Sequence, residues 1–285
     1  MSNSHRPKDS REIVATTPGV PATDGDGVRM TRVIGSPELN MLDPFLLLDA
    51  FESDQPQDYI GGFPSHPHRG FETVTYLLAG RMRHKDNAGN EGVIEPGGVQ
   101  WMTAGRGIVH SEMPEQENGL LMGFQLWVNL PARAKMSAPG YQEFSPAETP
   151  LEVRDNGAEI RVIAGTTDEG TTGAVKNEFV HPTYLDVSLP AGQSFSQQVD
   201  PSDNAFLFVI DGELETGARN TPLGRRTLGI LGEGGSVEAR TAAGARFLLV
   251  SAQPLNEPVA RGGPFVMNTK EEIIKAFEDY RHNRF

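Results

Sequence analysis

A chain of 285 residues without a single cysteine has room for two domains and must hold them together without covalent staples. The missing thiols exclude disulfide frameworks, thiolate zinc sites, iron–sulfur clusters and cysteine nucleophiles. With 25 basic against 38 acidic side chains, the formal net charge of −13 repels nucleic-acid backbones, so direct DNA or RNA binding is not expected.

The opening stretch, MSNSHRPKDSRE, lacks the apolar centre of a secretory signal, and residues 1–11 read as a flexible tail. Beyond it, short runs rich in β-branched and aromatic residues alternate with Gly, Pro, Asn and Asp clusters: EIVATTPG, VRMTRVIGSP, FETVTYLLAG, LLMGFQLWVNLP, EIRVIAG, TYLDVSLPAG, AFLFVIDGELETG and RFLLVSAQPL. Strands punctuated this often point to an all-β fold of sandwiches or barrels. The greasiest run, Phe45 to Phe51, is broken by Asp49 and falls far short of the ~18 apolar residues of a membrane helix. A helix is expected only at the end, where Thr269-Lys270-Glu271-Glu272 forms a capping box ahead of Ile273, Phe277 and Tyr280. Such a helix packs on a barrel.

The two halves echo each other. Tyr76-Leu77-Leu78-Ala79-Gly80 matches Phe208-Val209-Ile210-Asp211-Gly212 at an offset of 132, and Glu95-Pro96-Gly97-Gly98 resembles Gly232-Glu233-Gly234-Gly235. The spacing implies duplicated β domains joined in PARAKMSAPGYQEFSPAETP, giving a first domain of 12–145 and a second of 146–285.

Histidines carry the chemistry. His5 in the tail and His282 in the last helical turn read as solvated, His84 in the charged hairpin RMRHKDNAGN as a surface residue, and the isolated His181 as packed or exposed. That leaves His66-x-His68 and His110-x-Glu112. In an extended strand residues two apart share a face, so two such pairs on neighbouring strands converge three neutral nitrogens and one carboxylate on a point. Any one histidine could simply hydrogen-bond at a barrel mouth. The double pair instead suits a divalent first-row transition metal with one or two positions left open.

The runs GGFPSHPHRGFETVTYLLAG, PGGVQWMTAGRGIVHSEMP and FQLW, with the ending PVARGGPFVMNTKEEI, resemble the pirin family of the cupin superfamily across both halves. The resemblance implies a bicupin: two cupin β-barrel or jelly-roll domains, few short helices and a C-terminal helix. It implies one metal in the N-terminal barrel, held by His66, His68, His110 and Glu112. Many cupins instead take a glutamate a few residues after His-x-His. Glu72 stands at that place with the strand parity of His66 and His68, and is left open as a neighbour of the site, a turn residue or a further ligand. In the second barrel the offset maps His66 to Gln198, His68 to Asp200 and Glu72 to Asn204, a poor metal set, so that domain is expected to be scaffold.

Parity puts Val74 and Tyr76 on the inward face with Glu72, as core or cavity lining. Trp101 and Trp127 read as core, while Arg69 and Arg106 either attract an anionic oxygen to the pocket or pair at the surface. The glycines at 105 and 107 allow a tight turn before His110. There is no GxSxG elbow, Walker lysine loop, HExxH or GxGxxG fingerprint, so hydrolase, NTPase and nicotinamide-dependent readings have no footing.

The resemblance implies a mononuclear metal dioxygenase cleaving flavonols such as quercetin with O2 and releasing CO, with Glu112 as general base. Iron is the metal the family most often suggests; copper, nickel, cobalt, manganese and zinc fit the same ligands. The competing class is a metal-containing regulatory protein that binds a transcription factor or a metabolic enzyme without turnover. No Lys/Arg cluster for nuclear import stands in the sequence, and a cytoplasmic monomer is expected, nuclear if eukaryotic.

Overall fold

The computed structural model describes residues 10–285, so His5 and most of the expected tail lie outside the described residues. The inner end of that tail is corrected. Ser10 bridges Ser236, and Arg11 is buried, its guanidinium donating to the carbonyls of Gly234, Asp203 and Asp200. Carbonyl oxygens that take its protons are what let the charge leave water.

Strand β1 covers Ile13–Thr17. Then come β2 (Val20–Asp24), β3 (Val28–Ile34), β4 (Phe45–Ser53), β5 (Phe63–His68), β6 (Phe71–Ala79), β7 (Met82–Asp86), β8 (Glu91–Ile94), β9 (Val99–Thr103), β10 (Ile108–Pro114), β11 (Leu121–Asn129) and β12 (Gly140–Phe144). The second half holds β13 (Leu151–Val153), β14 (Glu159–Ala164), β15 (Thr183–Leu189), β16 (Ser194–Gln198), β17 (Asn204–Thr216), β18 (Thr221–Gly224), β19 (Leu228–Leu231), β20 (Ser236–Arg240) and β21 (Ala245–Ala252). The chain closes with β22 (Ala260–Gly262), β23 (Phe265–Met267) and α1 (Lys270–Arg281). The capping box is present: Thr269 Oγ1 accepts from Glu272 N–H while the Glu272 carboxylate accepts from Thr269 N–H.

Two compact units result. The histidine-bearing unit is Gly19–Thr149 with Glu178–Val180 and Leu255–Phe285; the other is residues 10–18 with Pro150–Asn177 and His181–Pro254. The expected division into 12–145 and 146–285 is therefore corrected at both ends. Strand β1 joins the second unit because its backbone pairs with β19. Residues 255–285 join the histidine-bearing unit, where Arg69 bridges Phe265 and Val266 N–H donates to the Arg69 carbonyl at 3.0 Å.

Within each unit the sheets repeat one plan. The histidine-bearing unit has a seven-stranded sheet ordered β12-β9-β6-β11-β4-β3-β2 and a four-stranded sheet ordered β5-β10-β7-β8. In the second unit the main path is β1-β19-β17-β21-β15-β14-β13, with β16, β18 and β20 off it. Strands β6 and β17, which carry the sequence echo, hold the same third place in order. The interior of the second unit is an apolar core that includes Phe195, Leu207, Val237, Ala239 and Phe247. The offset of 132 does not survive into β16: Gln198 and Asp200 are exposed, and the alternate residues Phe195 and Gln197 point inward.

One buried cation ties the C-terminal strap to the turn behind the histidines. Lys135 is 1% exposed, and its Nζ donates to Gly70 O at 2.8 Å, Asn129 Oδ1 at 2.7 Å and Val266 O at 3.0 Å. Gly70 has φ +89°, and a Cβ there would stand 2.0 Å from the Val266 carbonyl oxygen, so only glycine lets the strap approach. Burial lowers the Lys135 ammonium from its ordinary 10.5 to about 8. Between those two values the unfolded chain holds the proton and the folded chain does not, so this group adds stability as pH rises through that window. We expect the unsubstituted chain to gain about 2 kcal/mol over Lys135→Met between pH 8 and pH 10 in urea unfolding. A parallel pH response of the two would show that Lys135 keeps an ordinary affinity for its proton.

Candidate metal centre

Three neighbouring strands of the four-stranded sheet each bring a pair of residues two apart. Strand β10 is antiparallel to β5, with His110 opposite His66, Ile108 opposite His68 and Glu112 opposite Phe63. The step from His110 to Glu112 spans three residues of β5, a bulge at Pro64–Ser65. On its other side β10 pairs with β7, where His110 faces Asp86 and Glu112 faces His84. The eleven residues between Gly98 and His110 are β9, a tight turn in which Gly107 N–H donates to the Ala104 carbonyl, and the first two residues of β10.

Among the described residues, His66, His68 and His110 form the cluster whose ligand atoms converge, all within 4.8 Å of one another. Ring centroids lie 4.4–4.9 Å apart. Nδ1 of His66 stands 2.8 Å from the Pro64 carbonyl and Nδ1 of His68 stands 3.4 Å from that of Pro264. Carbonyls only accept, so both Nδ1 atoms carry the ring proton and both Nε2 atoms present lone pairs. Those two lone pairs face each other at 3.0 Å. Burial first, then the neighbouring imidazoles, push His68 and His110 far below the usual histidine range, which keeps them neutral. Nε2 of His110 is buried with no hydrogen-bond partner. An array of buried lone pairs aimed at one another is unfavourable unless a cation joins them. Two nitrogens each about 2.1 Å from one metal and at a right angle to each other stand about 3.0 Å apart, so the donor set fits a divalent first-row ion.

Glu112 lines the same cavity but is not part of the three-histidine cluster. Its carboxylate is buried, Oε1 lying 2.6 Å from the Thr75 hydroxyl and Oε2 3.1 Å from the Gln125 amide nitrogen. Thr75 and Gln125 pair across β6 and β11, and Gln125 pairs in turn with Asp49, which faces Arg32. A polar row thus crosses the large sheet beneath the histidines. Arg32 grips Asp49 with two hydrogen bonds of 2.7 and 2.9 Å. Burial nonetheless raises the Asp49 carboxyl above its usual range.

Several expectations change here. Glu72, Val74 and Tyr76 do share a face, but Thr73 and Thr75 of the other face pair with Trp127 and Gln125, which line the cavity, and Thr75 is the one that reaches Glu112. The turn at Arg69–Gly70 lies between β5 and β6, so strand parity does not carry across it. Glu72 instead accepts from the Thr103 hydroxyl at 2.7 Å. His84 is fully buried rather than superficial, and its ring lies 4.9 Å from that of Tyr141. Trp101 is core, whereas Trp127 lines the cavity with its ring 5.2 Å from that of His68. Arg69 is buried in an ion pair with Asp279 of α1 at 2.9 Å, and Arg106 is exposed. His181 and His282 are exposed.

A cavity of about 520 Å³ opens onto His66, His68 and Glu112. Its apolar wall includes Leu47, Phe51, Phe63 and Trp127, and its polar wall includes Arg32, Asp49, Gln125 and Arg261. Sequence reasoning missed Thr75, Gln125, Arg32 and Asp49, because nothing in a strand's own pattern says what the facing sheet brings to it.

A family model described as Pirin matches residues 27–128, and one described as the Pirin C-terminal cupin domain matches residues 184–285. A pirin-like protein of Caulobacter vibrioides is 54% identical over 275 residues, which cover 96% of this chain and 99% of that one. The chain belongs to the pirin family. Pirin of Rattus norvegicus is 43% identical over 96% of this chain and 93% of its own length. Among solved structures, a quercetin 2,3-dioxygenase from Acinetobacter baumannii superposes with a TM-score of 0.88 at 35% identity, covering 97% of this chain and 98% of its own. The two units of this pirin-family chain are thus cupin domains, and the chain is a bicupin.

If the histidine cluster of this pirin-family chain binds a divalent ion, Zn(II) at 100 times its dissociation constant stabilises the fold by about 2.7 kcal/mol. We expect this as a rise in thermal midpoint that EDTA reverses and that His66→Ala and His110→Ala abolish. A midpoint indifferent to zinc in the unsubstituted chain would remove the metal centre.

Proposed function

We propose that this pirin-family chain is a mononuclear metal dioxygenase whose substrate is a flavonol such as quercetin. The observation that carries the reading is an aromatic-walled cavity of about 520 Å³ that ends on His66, His68 and the buried carboxylate of Glu112, with the His110 ligand nitrogen within 4.8 Å of those of the other two histidines. That size falls within the ordinary range for drug-sized ligands, and flat aromatic walls suit a fused-ring phenol.

His66, His68 and His110 hold the metal, and Glu112 is the fourth ligand and proton acceptor. A bound divalent ion supplies Lewis acidity toward an oxygen of the substrate. Iron(II) is the first ion to test. Glu112 takes the flavonol 3-hydroxyl proton on Oε2, whose contact with Gln125 is the longer of its two at 3.1 Å. The Thr75 hydroxyl keeps Oε1 in place at 2.6 Å while the proton moves. Trp127 and Phe63 flank the ring system and exclude water from it. The overall change adds both atoms of O2 to the flavonol, opens its heterocycle and releases one carbon as CO.

The test is oxygen uptake with quercetin by protein loaded anaerobically with Fe(II), then with other divalent ions. Uptake in step with flavonol loss is expected, with Glu112→Gln lowering turnover by about 10²-fold or more and His66→Ala abolishing it. Absence of uptake with every metal that binds would overturn the dioxygenase reading and leave the metal centre standing.

A further inference from the structure

The third pair on the four-stranded sheet, His84-x-Asp86, does none of the work described so far. Both side chains are fully buried, an unusual place for a histidine and an aspartate. His84 Nε2 lies 3.2 Å from Asp86 Oδ2, and His84 Nδ1 lies 3.3 Å from His110 Nδ1. The two carbonyl-held histidines therefore differ from the third, whose Nδ1 meets another imidazole.

We propose that His84 is a positioning residue for His110: a hydrogen-bonded file, Asp86–His84–His110, fixes the tautomer and ring orientation with which His110 meets a metal. The order of donors follows from the atoms. A metal at His110 Nε2 needs that ring's proton on Nδ1, and the acceptor within reach is Nδ1 of His84. A neutral His84 that accepts at Nδ1 carries its own proton on Nε2, where Asp86 Oδ2 receives it. Ligating histidines commonly donate their second N–H to a carboxylate or carbonyl, which raises their basicity. Here a second imidazole relays that effect from Asp86.

The far end of the file is itself fixed. Asp86 Oδ1 accepts from the backbone N–H groups of Ala88 and Asn90, both at 2.9 Å, and Oδ2 accepts from Asn90 Nδ2 at 2.9 Å. The same turn is tied to β10 next to His110, since Asn87 N–H donates to the Val109 carbonyl and Asn87 Oδ1 accepts from Val109 N–H. Turn, carboxylate and relay thus move with the strand that carries the ligand.

The inference rests on the metal site proposed above and not on the dioxygenase reaction. In the metal-free full-length chain, Zn(II) is titrated against a chromophoric chelator. His84→Leu keeps the buried volume but removes the acceptor, and a 10–100-fold loss of zinc affinity is expected. His84→Asn places Oδ1 where Nδ1 stood and regains most of that loss. Equal losses in both variants, or none in either, would overturn the proposal. In the zinc-loaded unsubstituted chain, long-range 1H–15N spectra should show His84 protonated at Nε2 and His110 at Nδ1. A His84 protonated at Nδ1 overturns the proposal without any variant having to fold. Zinc binding without quercetin turnover leaves it intact, whereas an unsubstituted chain that binds no zinc removes both the metal site and the relay.

Discussion

The histidine-bearing unit is organised around where three ring protons sit. Each imidazole of His66, His68 and His110 has Nδ1 beside an acceptor on a different element: the bulge of β5, the C-terminal strap and strand β7. With those protons committed, three lone pairs are left facing one point in a place mostly closed to water. Leaving one buried polar atom unpaired costs about 1–3 kcal/mol, so a fold that aims three of them together is shaped for something that accepts their electrons. The strap that supplies the Pro264 carbonyl is held by the Lys135 bonds and by the Arg69–Asp279 pair. Residues far along the chain from the histidines thus govern how the histidines stand.

Duplication gives a comparison within one chain. Both units run their main sheet in the same strand order, yet one interior is apolar throughout its core cluster and the other sets buried polar groups beside its apolar ones. In the second unit Phe195, Val237 and Ala239 fill the inward positions of the smaller strands, and burial of those groups is its own reward in free energy. In the first unit the small sheet turns His66, His110 and Glu112 inward. Polar groups can be buried there only with partners, which Thr75 and Gln125 supply to Glu112 from the facing sheet. The same backbone plan therefore serves as core in one copy and as site in the other.

His84 illustrates how a sequence can mislead. Its neighbours Arg83, Lys85 and Asn87 are polar, and average polarity suggests a solvated hairpin. Strand alternation says otherwise: Met82, His84 and Asp86 are buried while Arg83 and Lys85 lie toward solvent. The signal was the same two-residue period that singled out His66, His68, His110 and Glu112. Glu72 fails for the complementary reason. Parity counts faces only along one unbroken strand, and the glycine turn at Gly70 restarts the count before β6 begins.

The sequence by itself determined the all-β class, the doubled plan, the terminal helix with its cap, and the three histidines whose nitrogens meet. These follow from local periods and local hydrogen bonds, and from motifs long enough to mark the family. Only the tertiary structure decided that β1 and the last 31 residues exchange allegiance between the halves, that Thr75 and Gln125 hold Glu112, and that His84 stands behind His110. Each of those depends on which strand lies beside or opposite another, a long-range pairing between residues whose own neighbours in sequence carry no record of it.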